Sequence, residues 1–227
     1  WWFLGEFFQY QVRLLTTSDA GHRGPFFYHF LVLLLGCFPA SIFALAGLKK
    51  QKGYNVQFED LRKWMILLLV VVLVVFSYVK TKILHYSSLA YFPVTFLAAY
   101  FIHALLAKKT SWQRWLAFPL GLIGGLLSFA LVALPLLIIK KDLWISFLRD
   151  EFARASLNAQ SYYSISWSPF DAWIGVFYGT AITATLIWLK TKNQARAFTI
   201  LFLATAITVF SICTVFLPRI ERSTQGT

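Results

Sequence analysis

The segment Lys80-Thr81-Lys82-Ile83-Leu84-His85-Tyr86-Ser87-Ser88 places two cations, an imidazole and a phenol in one short connection between apolar runs. A lysine ammonium is a point charge suited to phosphate, and Tyr and His add hydrogen-bond donors. Two readings fit these residues. They form a seat for a lipid phosphate, or the lysines snorkel to the headgroups beside an interfacial tyrosine. A second segment, Ala20-Gly21-His22-Arg23-Gly24-Pro25, leads into the first long apolar run. Its glycines permit a close backbone approach and Pro25 suits a first helical turn. His22 and Arg23 then precede a helix N-terminus, where an anion is favoured. The same residues also serve as a plain helix-entry turn with solvated side chains. His29 and His103 fall inside apolar runs. There they act as packing residues or as functional ionisable groups.

The elements that must position these groups follow from composition. The 227 residues are 59% hydrophobic and 13% charged, with a formal charge of +12 and a mean hydropathy of +0.66. Soluble domains carry roughly 25% charged residues, so a water-soluble globular domain is excluded. A disordered chain has the opposite balance. The basic excess lies in short clusters between apolar runs, which argues for an integral membrane protein and against nucleic-acid binding. Six stretches approach the roughly 20 apolar residues that span a bilayer as a helix: 26–48, 64–79, 88–107, 115–139, 172–189 and 197–217. The run 65–79 is almost unbroken Leu and Val, without the alternation of a barrel strand. The expected fold is all-α and polytopic, with about six transmembrane helices plus amphipathic interfacial helices.

Eleven of the 21 Lys and Arg crowd into the connections 49–63, 108–114 and 190–196. The positive-inside rule makes these cytoplasmic, which puts 80–87 and 140–171 on the outer face. Residues 1–25 then form an outer interfacial segment, 26–217 the six-span domain with its loop 140–171, and 218–227 a tail leading to a further domain. The start at Trp1 and the abrupt polar tail suggest a fragment of a longer protein. In the long loop, 143–155 reads as a helix with Trp144, Phe147, Leu148 and Phe152 on its apolar face and Arg149, Asp150, Glu151 and Arg154 opposite. The strip 161–169 is rich in aromatics and hydroxyls, which fits sugar contact or an aromatic belt. Gly121, Gly124, Gly125 and Ser128 form a small-residue face for close helix packing. Cys37 and Cys213 read as small buried hydrophobes. The hairpin 49–63 carries no assigned chemistry. No phosphate loop, HExxH, CxxC or GxSxG pattern occurs, which counts against ATPase, zincin, redox and serine-hydrolase functions.

The order His22-x-x-Pro25-x-x-Tyr28, Pro39, Lys80-Thr81-Lys82, His85-Tyr86 and Pro93 resembles the later spans of bacterial GT-C glycosyltransferases. The similarity is to the protein-mannosyltransferase-like kind (glycosyltransferase family 39), which includes the aminoarabinose transferases that modify lipid A. The resemblance implies part of a GT-C fold in a bacterial inner membrane, active at the periplasmic face. Such an enzyme moves a sugar from a polyprenyl-phosphate donor to a lipid or protein acceptor. Carried over by position, Lys82 and Tyr86 lie near the lipid phosphate and His22 borders the same cavity; Lys80, His85 and Arg23 join them by proximity. The family's catalytic carboxylate lies in an earlier periplasmic loop that nothing here matches. Asp19, Asp150 and Glu151 are on the right side but in the wrong context, so no catalytic residue is nominated. No cofactor is assigned and a divalent metal is left open. The expected partners are the donor, the acceptor and membrane lipids, not nucleic acid. A transporter or flippase of an anionic or lipid-linked substrate, using Pro39, Pro93, Pro119 or Pro135 to break helices, is the alternative, as is a non-catalytic scaffold.

Overall fold

The computed structural model describes residues 1–16, 24–162, 165–191 and 193–225. Its regular structure is helical: α1 (Trp2–Thr16), α2 (Tyr28–Gly36), α3 (Ala40–Gly47), α4 (Val56–Tyr78), α5 (Tyr91–Leu106), α6 (Ala117–Ile139), α7 (Glu151–Tyr162), α8 (Trp173–Lys190), α9 (Gln194–Ser211) and α10 (Leu217–Gln225). Five helical segments among these residues are long and apolar enough to cross a membrane: Val56–Tyr78, Leu84–Leu106, Arg114–Ile139, Pro169–Lys190 and Gln194–Arg222. The protein is therefore a polytopic helical membrane protein. It divides into two compact units, Trp1–Leu116 and Ala117–Thr227.

In the first unit, the stretch 26–48 is not one straight span. It is the pair α2 and α3, bent by 110°. Pro39, which follows a cis peptide at Phe38–Pro39, stands at the break because it has no N–H to continue the ladder. Ser41 Oγ donates to Leu34 O at 2.7 Å across the break and so satisfies a carbonyl that the bend frees. Helix α4 begins where Asn55 Oδ1 accepts from Phe58 N at 2.9 Å, an N-cap that closes one orphan donor. A 3-10 turn, Leu84–Ala90, leads into α5, which returns alongside α4 and packs on α3. The α3 face is built for contact: Ile42, Phe43, Ala44, Ala46 and Gly47 are all buried. At Gly47 an added Cβ would lie 2.1 Å from Leu97 O, so only glycine fits.

In the second unit, α6 packs against α8 through the small-residue face expected from the sequence. A Cβ on Gly124 would lie 2.8 Å from Ile182 Cδ1, one on Gly121 3.2 Å from Leu186 Cδ1, and Ser128 Oγ donates to Gly175 O at 2.7 Å. Gly125 differs, since it faces open space. Pro119 and Pro135 lie within α6 without breaking it. The helix expected at 143–155 is displaced. Residues Lys141–Leu143 and Ile145–Phe147 form 3-10 turns instead, and α7 starts at Glu151 because Asp150 Oδ1 accepts from Phe152 N and Ala153 N. Asp150 is thus a helix cap, not a member of the helix's polar face. A π-helical segment, Ile212–Phe216, joins α9 to α10. There Cys213 is exposed, and Cys37 in the first unit is half-buried, so neither is a fully buried hydrophobe.

Gly47→Ala is expected to destabilise the chain by about 1–3 kcal/mol through overpacking against Leu97. Gly36→Ala, with open space around it, serves as the control. Thermal unfolding in detergent reads both, and an unshifted Gly47→Ala midpoint contradicts the packing.

Candidate functional site

Four of the six residues expected to hold a phosphate lie on the described turn between α4 and α5, and they divide into an inner and an outer set. Lys80 and His85 are exposed and Tyr86 is half-buried, its ring 5.3 Å from that of Phe76. Lys82 points the other way and is only 5% exposed. Its Nζ donates to Phe76 O at 3.0 Å and to Ser77 O at 2.7 Å. Those are carbonyls of the last turn of α4, which an α-helix leaves without partners. The lysine caps the helix from which its own connection departs. Gly24 lies against the stem of this side chain, where an added Cβ would sit 2.9 Å from Lys82 Cγ. Burial pushes the ammonium below its usual pKa of 10.5. His22 and Arg23 lie outside the described residues.

Beneath the same turn are polar groups that the sequence did not connect to it. His29 is completely buried, its ring 6.0 Å from Phe76 and 5.1 Å from Tyr28, within electrostatic reach of Lys82. Neither of its ring nitrogens has a hydrogen-bond partner among the described residues, and neither does the buried Ser77 Oγ. A buried imidazole so placed is costly unless it gains a partner.

The Lys-rich end of the first unit holds a polar network that sequence reasoning missed. Tyr100 Oη donates to Glu59 Oε1 and accepts from Gln51 N at 2.8 Å. Glu59 Oε2 takes Arg62 Nε at 3.1 Å, and Arg62 also donates to Leu48 O. Beside it, a cleft of about 630 Å³ is lined by Gly53, Tyr54, Asn55, Phe58, Phe96, Ala99, Tyr100, His103 and Lys109. The Tyr54 hydroxyl lies 2.6 Å from His103 Nδ1 and 3.2 Å from Tyr100 O. Burial, then the Glu59 charge, raises the Tyr54 phenol above its ordinary pKa of 10.0. Lys109 Nζ donates to Gly53 O at 2.9 Å and sits 4.2 Å from the centroid of the Tyr54 ring, a cation–π contact. The i,i+3 pairs Glu59 with Arg62 and Tyr100 with His103 were the available sequence signal.

The connection 140–171 and the tail of the second unit are tied up structurally. Asp171 closes a capping box with Ser168 at the turn Pro169–Ala172 and pairs with Arg219 at 2.6 Å. Arg219 in turn lies 5.2 Å from the centroid of the Trp167 ring. In the strip 161–169, Trp167 and Ser168 thus serve the local fold, while Tyr163 and Ser164 lie outside the described residues. Among the described residues no three His, Cys, Asp or Glu converge on a point that could hold a metal ion.

Lys82→Met keeps the stem but removes the donor. It is expected to cost about 1–3 kcal/mol for the acceptors left unmade. Because the folded ammonium titrates below 10.5, the unfolded chain binds more protons in the window just under that value. The Lys82 contribution therefore grows as pH rises toward 10.5. Unfolding of wild type and Lys82→Met at neutral and alkaline pH should show the gap widening with pH; a gap that narrows contradicts the assignment.

No family model matches the sequence, and no curated protein or solved structure matches it either.

Proposed function

We propose that the chain forms the leaving-group side of a membrane glycosyltransferase that takes a sugar from a polyprenyl-phosphate donor. The acceptor is a lipid or protein at the outer face of a bacterial inner membrane. The observation that carries this reading is the outward grouping of Lys80, His85 and Tyr86 on one turn, at the ends of two helices long enough to span, above a buried Lys82. In the reaction, an acceptor oxygen attacks the anomeric carbon, the bond from that carbon to the phosphate oxygen breaks, and the electron pair stays on the phosphate. Lys80 and His85 would stabilise that charge by direct hydrogen bonds. Lys82, committed to the carbonyls of α4, would contribute its field from below. A base must take the acceptor's proton, and no residue of this chain is assigned to that role.

A transporter is the second reading, favoured by the broken pair α2 and α3 with His29 buried beside it and without a hydrogen-bond partner among the described residues. Broken helices and intramembrane ionisable groups are what alternating-access carriers use.

A photoactivatable polyprenyl phosphate should label the 80–86 turn in membranes and be displaced by unlabelled polyprenyl phosphate. Combining Lys80→Ala with Tyr86→Phe removes a charge-assisted hydrogen bond, so labelling should weaken about tenfold or more. Labelling elsewhere, or labelling that the double variant leaves unchanged, contradicts the glycosyltransferase reading. Solute uptake into proteoliposomes that His29→Ala abolishes would favour the transporter.

A further inference from the structure

The cleft at the Lys-rich end of the first unit lies at the opposite end of α4 from Lys82 and plays no part in the proposal above. We infer that it binds an anionic phospholipid, with the phosphate on Lys109 and His103 and an acyl chain along Phe96 and Ala99.

The shape fits an amphiphile. Lys109, Tyr54 and His103 line the cleft together with Phe58, Phe96 and Ala99, and the Phe58 ring lies 5.7 Å from that of Tyr54. Phe96 lies two helical turns before His103 on α5, about 10 Å along the axis. That is the offset between a headgroup and the first methylenes below it. Both α4 and the segment carrying α5 are long and apolar enough to cross a membrane, and the cleft sits at their ends. Its polar part is therefore at headgroup depth. Phe58 is 47% exposed, a large apolar surface facing outward beside a cation.

The electrostatics fit an anion. Lys109 is held by a carbonyl and an aromatic face, neither of which cancels its charge. Holding it in place beforehand lowers the entropy cost of binding. The two carboxylates in the first turns of α4 are already paired, Glu59 with Arg62 and Asp60 with Lys63 at 2.8 Å. Lys49, Lys50, Lys52 and Lys108 stand exposed on the same end. His103 supplies the second contact. An anion at Nε2 selects the tautomer with the proton on Nε2, in which the Tyr54 hydroxyl turns its one proton from Tyr100 O to Nδ1. The network of Glu59, Arg62 and Gln51 holds Tyr100, whose ring lies 4.6 Å from that of Tyr54, in position for this. A free phosphate would use the same cations but leave the apolar part of the cleft empty.

The test is native mass spectrometry of the whole chain in neutral detergent, titrated with phosphatidylglycerol, phosphatidylcholine or inorganic phosphate. Wild type should retain one phosphatidylglycerol and prefer it to phosphatidylcholine. Losing a charge-assisted contact should weaken that binding about tenfold or more in Lys109→Gln. Ala99→Trp fills the apolar part of the cleft and should do the same with every cation intact, whereas Lys190→Gln should bind as wild type. Should Lys109→Gln fail to fold by circular dichroism, Ala99→Trp decides. Equal retention of the two lipids, wild-type binding in Ala99→Trp, or displacement of the lipid by millimolar inorganic phosphate would overturn the inference; the last would make this a site for a free anion.

Discussion

A helix that crosses hydrocarbon delivers its final carbonyls to the far end without intrahelical partners, and no water is available until the headgroups are reached. In the first unit this constraint falls on α4, and Lys82 meets it by folding back onto Phe76 O and Ser77 O. Much else follows from that return. The connection is drawn tight against the helix end, Tyr86 is brought onto Phe76, and the 3-10 turn Leu84–Ala90 is set to launch α5. With one lysine turned inward, Lys80 and His85 are left on the outside. The other end of α4 is fixed in a comparable way. Glu59 and Arg62 bind Tyr100 of α5 and the backbone at Leu48, joining two helices and the loop between α3 and α4 in one hydrogen-bonded group.

These two ends have different chemical characters. At the 80–86 end, buried polar atoms outnumber their partners: His29 and Ser77 Oγ have none among the described residues, while Lys82 spends its donors on backbone. A structural cation therefore underlies a surface of potential ligands, and the field of Lys82 is available there without the ammonium having to move. At the Lys-rich end the buried carboxylate is fully paired and the surplus charge is positive and exposed. Under the two proposals above, the first end would stabilise charge that develops on a leaving phosphate and the second would hold a resident anion.

The spanning segments were legible because Leu, Val and Phe recur over lengths that only a bilayer or a large core can use. The bend between α2 and α3 was less so. Pro39 was visible as a helix breaker, but whether Pro breaks a span depends on what accepts the freed carbonyls. Here Ser41 does so, whereas Pro135 is accommodated inside α6. The displaced helix at 151–162 has a similar cause: aromatic spacing suggested an earlier start, and the Asp150 cap overrode it. The small-residue face of α6 was read correctly at Gly121, Gly124 and Ser128, and Gly125 turned out to border an open groove between α6 and α8. Of two lysines two residues apart, no linear pattern tells which one lies over the end of the preceding helix. Beyond the i,i+3 spacing of Tyr100 and His103 the cleft was not legible, because its contacts join residues far apart in the chain: Tyr54 with Tyr100 and His103, and Gly53 with Lys109.

The central claim is that α4 and α5 form a hairpin across a membrane, with the 80–86 turn at one face and the Lys109 cleft at the other. It is tested most directly by cysteine accessibility in sealed membrane vesicles. With Cys37 and Cys213 replaced, Lys80→Cys and Lys109→Cys are reacted in turn with a membrane-impermeant maleimide. The account predicts that the two positions label from opposite sides of the membrane. Labelling of both from the same side would contradict it.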